Sequence, residues 1–492
     1  MKGALLLILS GAPLAATLGC LLMQRRQVAE MFNLAAALAV FAAALPLPFL
    51  VGNTGDAPAF FWGHYILLDR AGAWVVLCTA IVYLLSSIYS VGYMRQLKEE
   101  AERLPRFYAL FAAFAFTTLV APLMNDVGLY WIVIELTTLV STFLVAFERA
   151  AESIEAAWKY IMVVSAGISL ALLGTILLYW GGSFVLGPSY QMTWSALASA
   201  APGVNPVVLV LGFLLVVVGY GTKAGLAPMH SWLPDAHSEG PAPVSAMLSG
   251  ALLNAAMIGI ARFLAIMRGA GLGPLSGTVL VVFGILSLLV GALFIVRQRG
   301  IKRLMAYSSV EHMGVVALGL GFGGTFGVAG AFYHMLVHSL NKSLMFFGAG
   351  NVMRAYGTKA IGGIKGVGRA FPVSGALWLA GAVAITGAPP FGLFFSEFTI
   401  MRAGLTPQMS WAVYAMAALL IVIFIGFMNH FRSMYYGPPE NDPAEALVEP
   451  DRWSVLPMWL ALLPLLVLGL WWPAGIWSYL AALAHSLSPG MP

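Results

Sequence analysis

Ionisable side chains interrupt apolar runs at several places in this sequence, and their types and spacing suit the movement of protons. Glu135 lies in LYWIVIELTTLVSTF, Lys223 in GYGTKAGLAP, Glu311 and His312 in SSVEHMGVV, His334, His338 and Lys342 in HMLVHSLNK, and Glu397 in LFFSEFTI. A charge in a bilayer interior costs about 2.5–3.5 kcal/mol on insertion scales unless it is paired or hydrated, so each residue is a functional candidate. Acids and bases alternate along the chain, as a hydrated relay requires.

For Lys223 the partner decides the chemistry. Burial disfavours an ammonium and a nearby carboxylate favours it, so movement of Glu135 relative to Lys223 would switch the lysine between holding and releasing a proton. The alternative is a static buried pair that fixes helix register. His334, His338 and Lys342 recur every four residues and share one helix face. Imidazole titrates near neutral pH and passes protons through either nitrogen. H-x-x-x-H is also a zinc spacing, but a lysine one turn on adds positive charge and the neighbouring sequence offers no third ligand, so no metal is expected. Histidines simply bonded to Ser339 or Ser343 are the structural alternative. The adjacent Glu311 and His312 read as relay or as an interfacial pair, and His230 and Asn254 are further possible relay members.

Elements long enough to hold such residues in a membrane are what the composition demands. Charged residues make up 9% and hydrophobic ones 60% of the 492 residues, with mean hydropathy +0.89, against roughly 25% charged in a soluble domain. A water-soluble globule of this kind would expose aggregating apolar patches. The expected class is therefore an all-α, polytopic membrane protein. The net charge of +5 comes without a basic run interleaved with aromatics, which excludes a nucleic-acid face. Cys20 and Cys78 are too far apart for a metal-ligand motif. With no Walker A loop, dinucleotide fingerprint or G-x-S-x-G elbow, no cofactor is expected on this chain.

At about 20 apolar residues per crossing, fourteen spans are predicted, with cores near 4–23, 31–51, 72–93, 107–124, 127–147, 160–180, 206–226, 242–266, 274–296, 304–322, 326–353, 373–401, 411–431 and 455–472. Met1–Met23 lacks a small-x-small cleavage site and reads as a first span rather than a signal peptide. Eighteen of the 25 Lys and Arg fall in odd-numbered connections, whereas the N-terminus and even-numbered ones hold only Lys2, Arg70, Arg268 and Arg402. By the positive-inside rule both termini are expected outside.

Two spans carry internal breakers: the seventh, with Pro228 and Pro234 after Lys223, and the twelfth, with Gly387, Pro389 and Pro390 before Glu397. A broken helix must face protein or water, because lipid cannot satisfy the freed carbonyls. Breaks five spans apart predict inverted five-helix repeats with ion sites at the breaks. The expected organisation is an N-terminal three-helix segment (1–106), repeats over 107–268 and 269–436, and an acidic loop with a C-terminal helix (437–492). The loop's acidic stretch, Glu440 to Asp451, is expected on the inner side as a solvated loop or a partner contact.

The segment KAGLAPMHSWLPDAHSEGPAPVSAMLSGALLNAAMIGIARF (Lys223 to Phe263) resembles the antiporter-like membrane subunits shared by respiratory complex I, multi-subunit cation/proton antiporters and energy-converting [NiFe] hydrogenases. IKRLMAYSSVEHMGVVALGLGF (Ile301 to Phe322) and HMLVHSLNKSLMFFGAGNV (His334 to Val352) look most like the hydrogenase-4 component F (formate hydrogenlyase) branch, and the likeness covers about residues 60 to 435. The resemblance implies Glu135 and Lys223 as an input pair, His334, His338 and Lys342 as connectors, and Glu397 as the group exchanging with the opposite side. It departs at Asn254, where many relatives carry a lysine, which bears on pumping because Asn holds no mobile proton. With the chain ending soon after the fourteenth span, no long lateral helix is expected.

The function so implied is proton translocation in a prokaryotic inner membrane, as a subunit of a group 4 hydrogenase or formate hydrogenlyase type complex. Peripheral hydrogenase or dehydrogenase subunits on the cytoplasmic side would carry the [NiFe] and iron–sulfur centres, beside further antiporter-like and small membrane subunits. Alternatives are a cation/proton antiporter subunit moving Na+, a complex I-type NADH:quinone oxidoreductase subunit, and a degenerate structural anchor.

Overall fold

The computed structural model describes residues 1–23, 25–52, 59–438 and 447–487. It opens with α1 (Lys2–Leu22), α2 (Arg26–Ala44) and the short α3 (Leu47–Gly52), followed by an antiparallel hairpin of β1 (Ala59–Phe61) and β2 (Ile66–Leu68). Then come α4 (Arg70–Arg95), α5 (Leu104–Val120), α6 (Val127–Val145), α7 (Ala151–Leu186) and α8 (Trp194–Ala200). The seventh predicted span is α9 (Pro206–Ala224), a turn, and α10 (Trp232–Glu239). The eighth is α11 (Ala242–Met247), a π-helical turn (Leu248–Leu252) and α12 (Leu253–Gly269). After α13 (Gly273–Val296), α14 (Ile301–Phe322), α15 (Gly324–Tyr356) and the single turn α16 (Val367–Ala370), the twelfth divides into α17 (Ser374–Ile385) and α18 (Gly392–Gly404). The chain closes with α19 (Ser410–Tyr436), α20 (Arg452–Leu470) and α21 (Ala474–Leu487).

Among the described residues, eleven helical segments are long and apolar enough to cross a membrane by length and composition. The other three predicted spans fall on α14, α15 and the α17–α18 pair, where ionisable residues or a break dilute the apolar run. The hairpin and α21 were not anticipated from composition. Polar side chains set several helix starts: Asp69 Oδ1 accepts from Gly72 N–H at 2.7 Å, Asp126 Oδ1 from Leu129 N–H at 2.9 Å, and Asp451 Oδ1 from Ser454 N–H at 3.0 Å. Each satisfies a donor that has no partner within its helix. Glu449 accepts from Ser374 N–H at 2.7 Å at the start of α17, where a carboxylate suits the helix dipole. Most of the acidic stretch beginning at Glu440 lies outside the described residues.

Burial is what places the site. α15 is enclosed on every face from Gly327 to Val352, and the stretch 242–264 is equally enclosed. Outer helices such as α7 instead turn large apolar side chains outward, among them Trp158, Met162 and Phe184, as a lipid-facing surface does. A helix buried all round can carry polar groups only where other protein groups or water meet them. α14, α18, α20 and α4 pack around α15, so its histidine and lysine stripe has no route to lipid.

Arg262, a cation inside the eighth span, has a structural assignment. It donates to both oxygens of Asp69, at 3.0 and 3.1 Å, and to the carbonyls of Pro122 and Met124. That closes the bundle beneath the hairpin.

Candidate functional site

Both helix breaks start the same way. α9 ends at Gly225 with φ +77°, and α17 gives way to Gly387 with φ +67°. Those left-handed conformations come without strain only to glycine. At the second break there is also no room: a Cβ on Gly387 would collide with the carboxylate of Glu397. Pro228, Pro389 and Pro390 lie in the two turns between half-helices. Lys223 is on the last turn of α9, and Glu397 is on the second turn of α18.

Glu135 and Lys223 are joined through one hydroxyl. Lys223 Nζ donates to Thr138 Oγ1 at 2.7 Å and to the Tyr160 hydroxyl at 3.0 Å, and Thr138 Oγ1 donates onward to Glu135 Oε2 at 3.4 Å. Ser165 Oγ donates to Glu135 Oε1 at 2.6 Å. The Tyr160 hydroxyl lies 2.8 Å from Ser141 Oγ, whose own hydrogen goes to the Thr137 carbonyl. Tyr160 therefore accepts from the lysine and donates to the serine, and every group around Nζ has a consistent direction. Lys223 is fully buried while Glu135 is half-buried, beside the outward-facing Ile132, Leu136 and Leu139.

A second cluster forms where α14, α15 and α18 meet. The rings of His312 and His338 lie 5.3 Å apart and those of His312 and His334 5.1 Å apart. His312 Nδ1 faces His334 Nε2 at 3.0 Å and stands 3.9 Å from Glu311 Oε1. Lys342 Nζ donates to the Met305 carbonyl at 3.0 Å and to Ser308 Oγ. Glu311 and His312 are 1% and 0% exposed, so both are enclosed by protein. Neither Ser339 nor Ser343 holds a histidine. Ser343 donates to a carbonyl of its own helix, and the histidine–serine bond is His334 Nδ1 to Ser396 Oγ at 2.8 Å, across to α18.

Among the described residues the H-x-x-x-H pair of His334 and His338 does not share a donor set, but His334 belongs to another that the spacing does not show. His312, His334 and Glu397 each offer a donor atom, all within 4.8 Å of one another. Helix spacing hid this because the three residues come from three helices.

Asn254 and His230 sit apart from these clusters. Asn254 follows the π-helical turn, and its amide donates to Ser339 Oγ at 2.9 Å, Gly250 O at 3.0 Å and Met335 O at 3.4 Å, clamping the turn to α15. Asn254→Ala is expected to lower stability by about 1–3 kcal/mol through lost bonds to buried acceptors, read as a lower midpoint in thermal unfolding of the purified protein in detergent. His230 is half-buried, its ring 6.2 Å from that of Tyr307.

His237 on α10 was missed from sequence. It is fully buried, its ring stacks on Phe346 at 5.3 Å and lies 6.4 Å from that of Trp232, which packs in turn on Tyr160 at 4.7 Å. It is also within electrostatic reach of Lys342 and His338. The signal was a histidine on the far side of a broken helix, overlooked because the surrounding SWLPDAHSEG is polar.

A bundle with two broken helices and buried ionisable groups at both breaks defines an antiporter-type membrane subunit. The chain belongs to the family described as NADH:quinone oxidoreductase/Mrp antiporter, TM, which matches residues 124–425. It is 35% identical over 416 residues to the Hydrogenase-4 component F homolog of Methylacidiphilum infernorum (isolate V4), covering 84% of this chain and 86% of that protein. It is 29% identical over 445 residues to Hydrogenase-4 component B of Escherichia coli (strain K12), covering 85% of this chain but only 64% of that protein. In fold it is similar to a chain of the membrane-bound sulfane sulfur reductase, an archaeal respiratory membrane complex, with TM-score 0.88, 22% identity and coverage of 99% and 98%.

Proposed function

We propose that this chain translocates protons as a membrane subunit of an energy-converting oxidoreductase of the group 4 [NiFe] hydrogenase or formate hydrogenlyase type, whose redox centres are on partner subunits. One observation carries the reading: polar atoms buried without a hydrogen-bond partner gather around the second cluster. Among the described residues these include both carboxylate oxygens of Glu311, both ring nitrogens of His338 and Oε1 of Glu397. Leaving such atoms dry costs about 1–3 kcal/mol each. A path that water enters removes that cost and connects the ionisable groups.

In this reading Glu135 and Lys223 are the input, with Thr138 as the conduit between them. His237, His338, Lys342 and Glu311 carry protonation through the middle, and His312 and His334 pass it to Glu397 at the second break. The 107–268 and 269–436 units act as inverted repeats around the two breaks. A half-buried carboxylate among outward-facing apolar residues supports a membrane partner covering Glu135, since lipid would not solvate it. Localisation in a prokaryotic inner membrane with both termini outside rests on the cation asymmetry.

The experiment is proton uptake by vesicles containing the whole complex, driven by partner turnover, for the native chain and for the combined Glu135→Gln, Lys223→Ala, Glu397→Gln variant. Turnover without proton movement in the variant is expected. Proton movement that survives the triple change selects the structural anchor instead, and uptake that requires Na+ selects the antiporter reading.

A further inference from the structure

We infer that His312, His334 and Glu397 form a binding site for a divalent transition metal ion of the zinc class. Two imidazoles and one carboxylate are a common donor set for zinc, which leaves a fourth position for water. The two ring nitrogens already face each other at 3.0 Å, close to the ~3.3 Å that separates two nitrogens bound ~2.05 Å from a tetrahedral zinc. All three donor atoms fall within 4.8 Å, so a small side-chain rotation closes the set.

The hydrogen bonds behind the site prepare it. Ser396 Oγ donates its only hydrogen to the Leu393 carbonyl at 2.7 Å, so it accepts from His334 Nδ1–H at 2.8 Å. That fixes the tautomer: His334 Nε2 carries a lone pair that accepts from His312 Nδ1–H, and a metal bound between the two rings displaces that one proton. A serine or carboxylate behind the ring is how metal-binding histidines are oriented. Glu397 is 5% exposed and its Oε1 has no partner among the described residues. Glu397 also lines a cavity of about 490 Å³ with Gly387, Pro389 and Phe398, which leaves its carboxylate room to turn. Lys342 Nζ points away from the donor set, held by Met305 and Ser308, although its electrostatic influence reaches both histidines. The Glu311 carboxyl group stands 3.9 Å from His312 Nδ1, beside the donor set.

A bound metal would tie together groups that the proposed relay uses, so occupancy would block proton movement; this consequence rests on the relay reading, whereas the site itself does not. The test uses the purified whole complex in equilibrium dialysis against Zn2+, with Co2+ substitution read by visible absorption. One metal per chain and a four-coordinate cobalt spectrum are expected. Affinity should fall about tenfold or more in Ser396→Ala, where only the support is lost, and binding should vanish in His312→Gln and His334→Gln. Replacing the exposed His485 should change nothing. Size exclusion of the complex and an unchanged thermal unfolding midpoint control for folding. Absence of stoichiometric metal, or metal retained in both histidine variants, overturns the site. Proton movement that continues with the site filled counts against the relay alone, because binding is read directly.

Discussion

Lys223→Ala is expected to abolish proton movement coupled to partner turnover while the chain still assembles. The ammonium is fully buried and touches only hydroxyl groups, Thr138 and Tyr160. Removing it strands neither, because Thr138 keeps Glu135 and Tyr160 keeps Ser141. It also removes a charge whose transfer out of water costs several kcal/mol. The fold therefore tolerates the change, and the input pair loses the member that can accept or release a proton. Proteoliposome uptake should drop to the level of the lipid leak. Thr138→Val separates two versions of the same idea. If the hydroxyl is the conduit, valine should slow uptake about tenfold, equivalent to ~1.4 kcal/mol on the barrier. If Glu135 acts on Lys223 only through space, uptake should stay near native. Unchanged uptake in Lys223→Ala removes the lysine from the mechanism.

What could be read from the chain beforehand follows from how far each signal travels along it. Periodicity of four put His334, His338 and Lys342 on one face, and all three are buried on α15. Glycine and proline marked both breaks, since their effects are local to the backbone. The twelfth span nonetheless divides into half-helices of 12 and 13 residues, shorter than one uninterrupted core would suggest. Hydroxyl groups carried no such signal. Thr138 and Ser396 look like ordinary small polar residues, and only the reach of Lys223 from α9 to α6, both packed against α7, and the packing of α15 on α18 give them work. The meeting of His312, His334 and Glu397 spans 85 residues of chain and three helices, beyond any spacing rule. Asn254 shows a role that the chain alone does not display. Read as a missing proton carrier, it is seen in three dimensions to satisfy carbonyl groups around a π-helical turn, where regular helical bonding is interrupted.

Glu397→Gln is expected to match the loss in Lys223→Ala, by a different route. Glutamine keeps the volume and can still reach the groups around Glu397, yet it cannot exchange a proton. The carboxylate lies against Gly387 at the break and faces a cavity of about 490 Å³, so it has both a relay neighbour and open space beside it. Gly387→Ala should produce the same loss without touching any ionisable group, because the new methyl takes the carboxylate's position and the backbone there has φ +67°. Agreement between the two variants would argue that position as well as charge matters at this end. A difference between them is informative as well. Native uptake in Glu397→Gln with loss in Gly387→Ala would make the break itself the moving part, and the carboxylate no more than its filler. Uptake measured with partner turnover recorded in the same vesicles distinguishes these outcomes, since a subunit that fails to assemble loses both signals and an uncoupled one loses only the first.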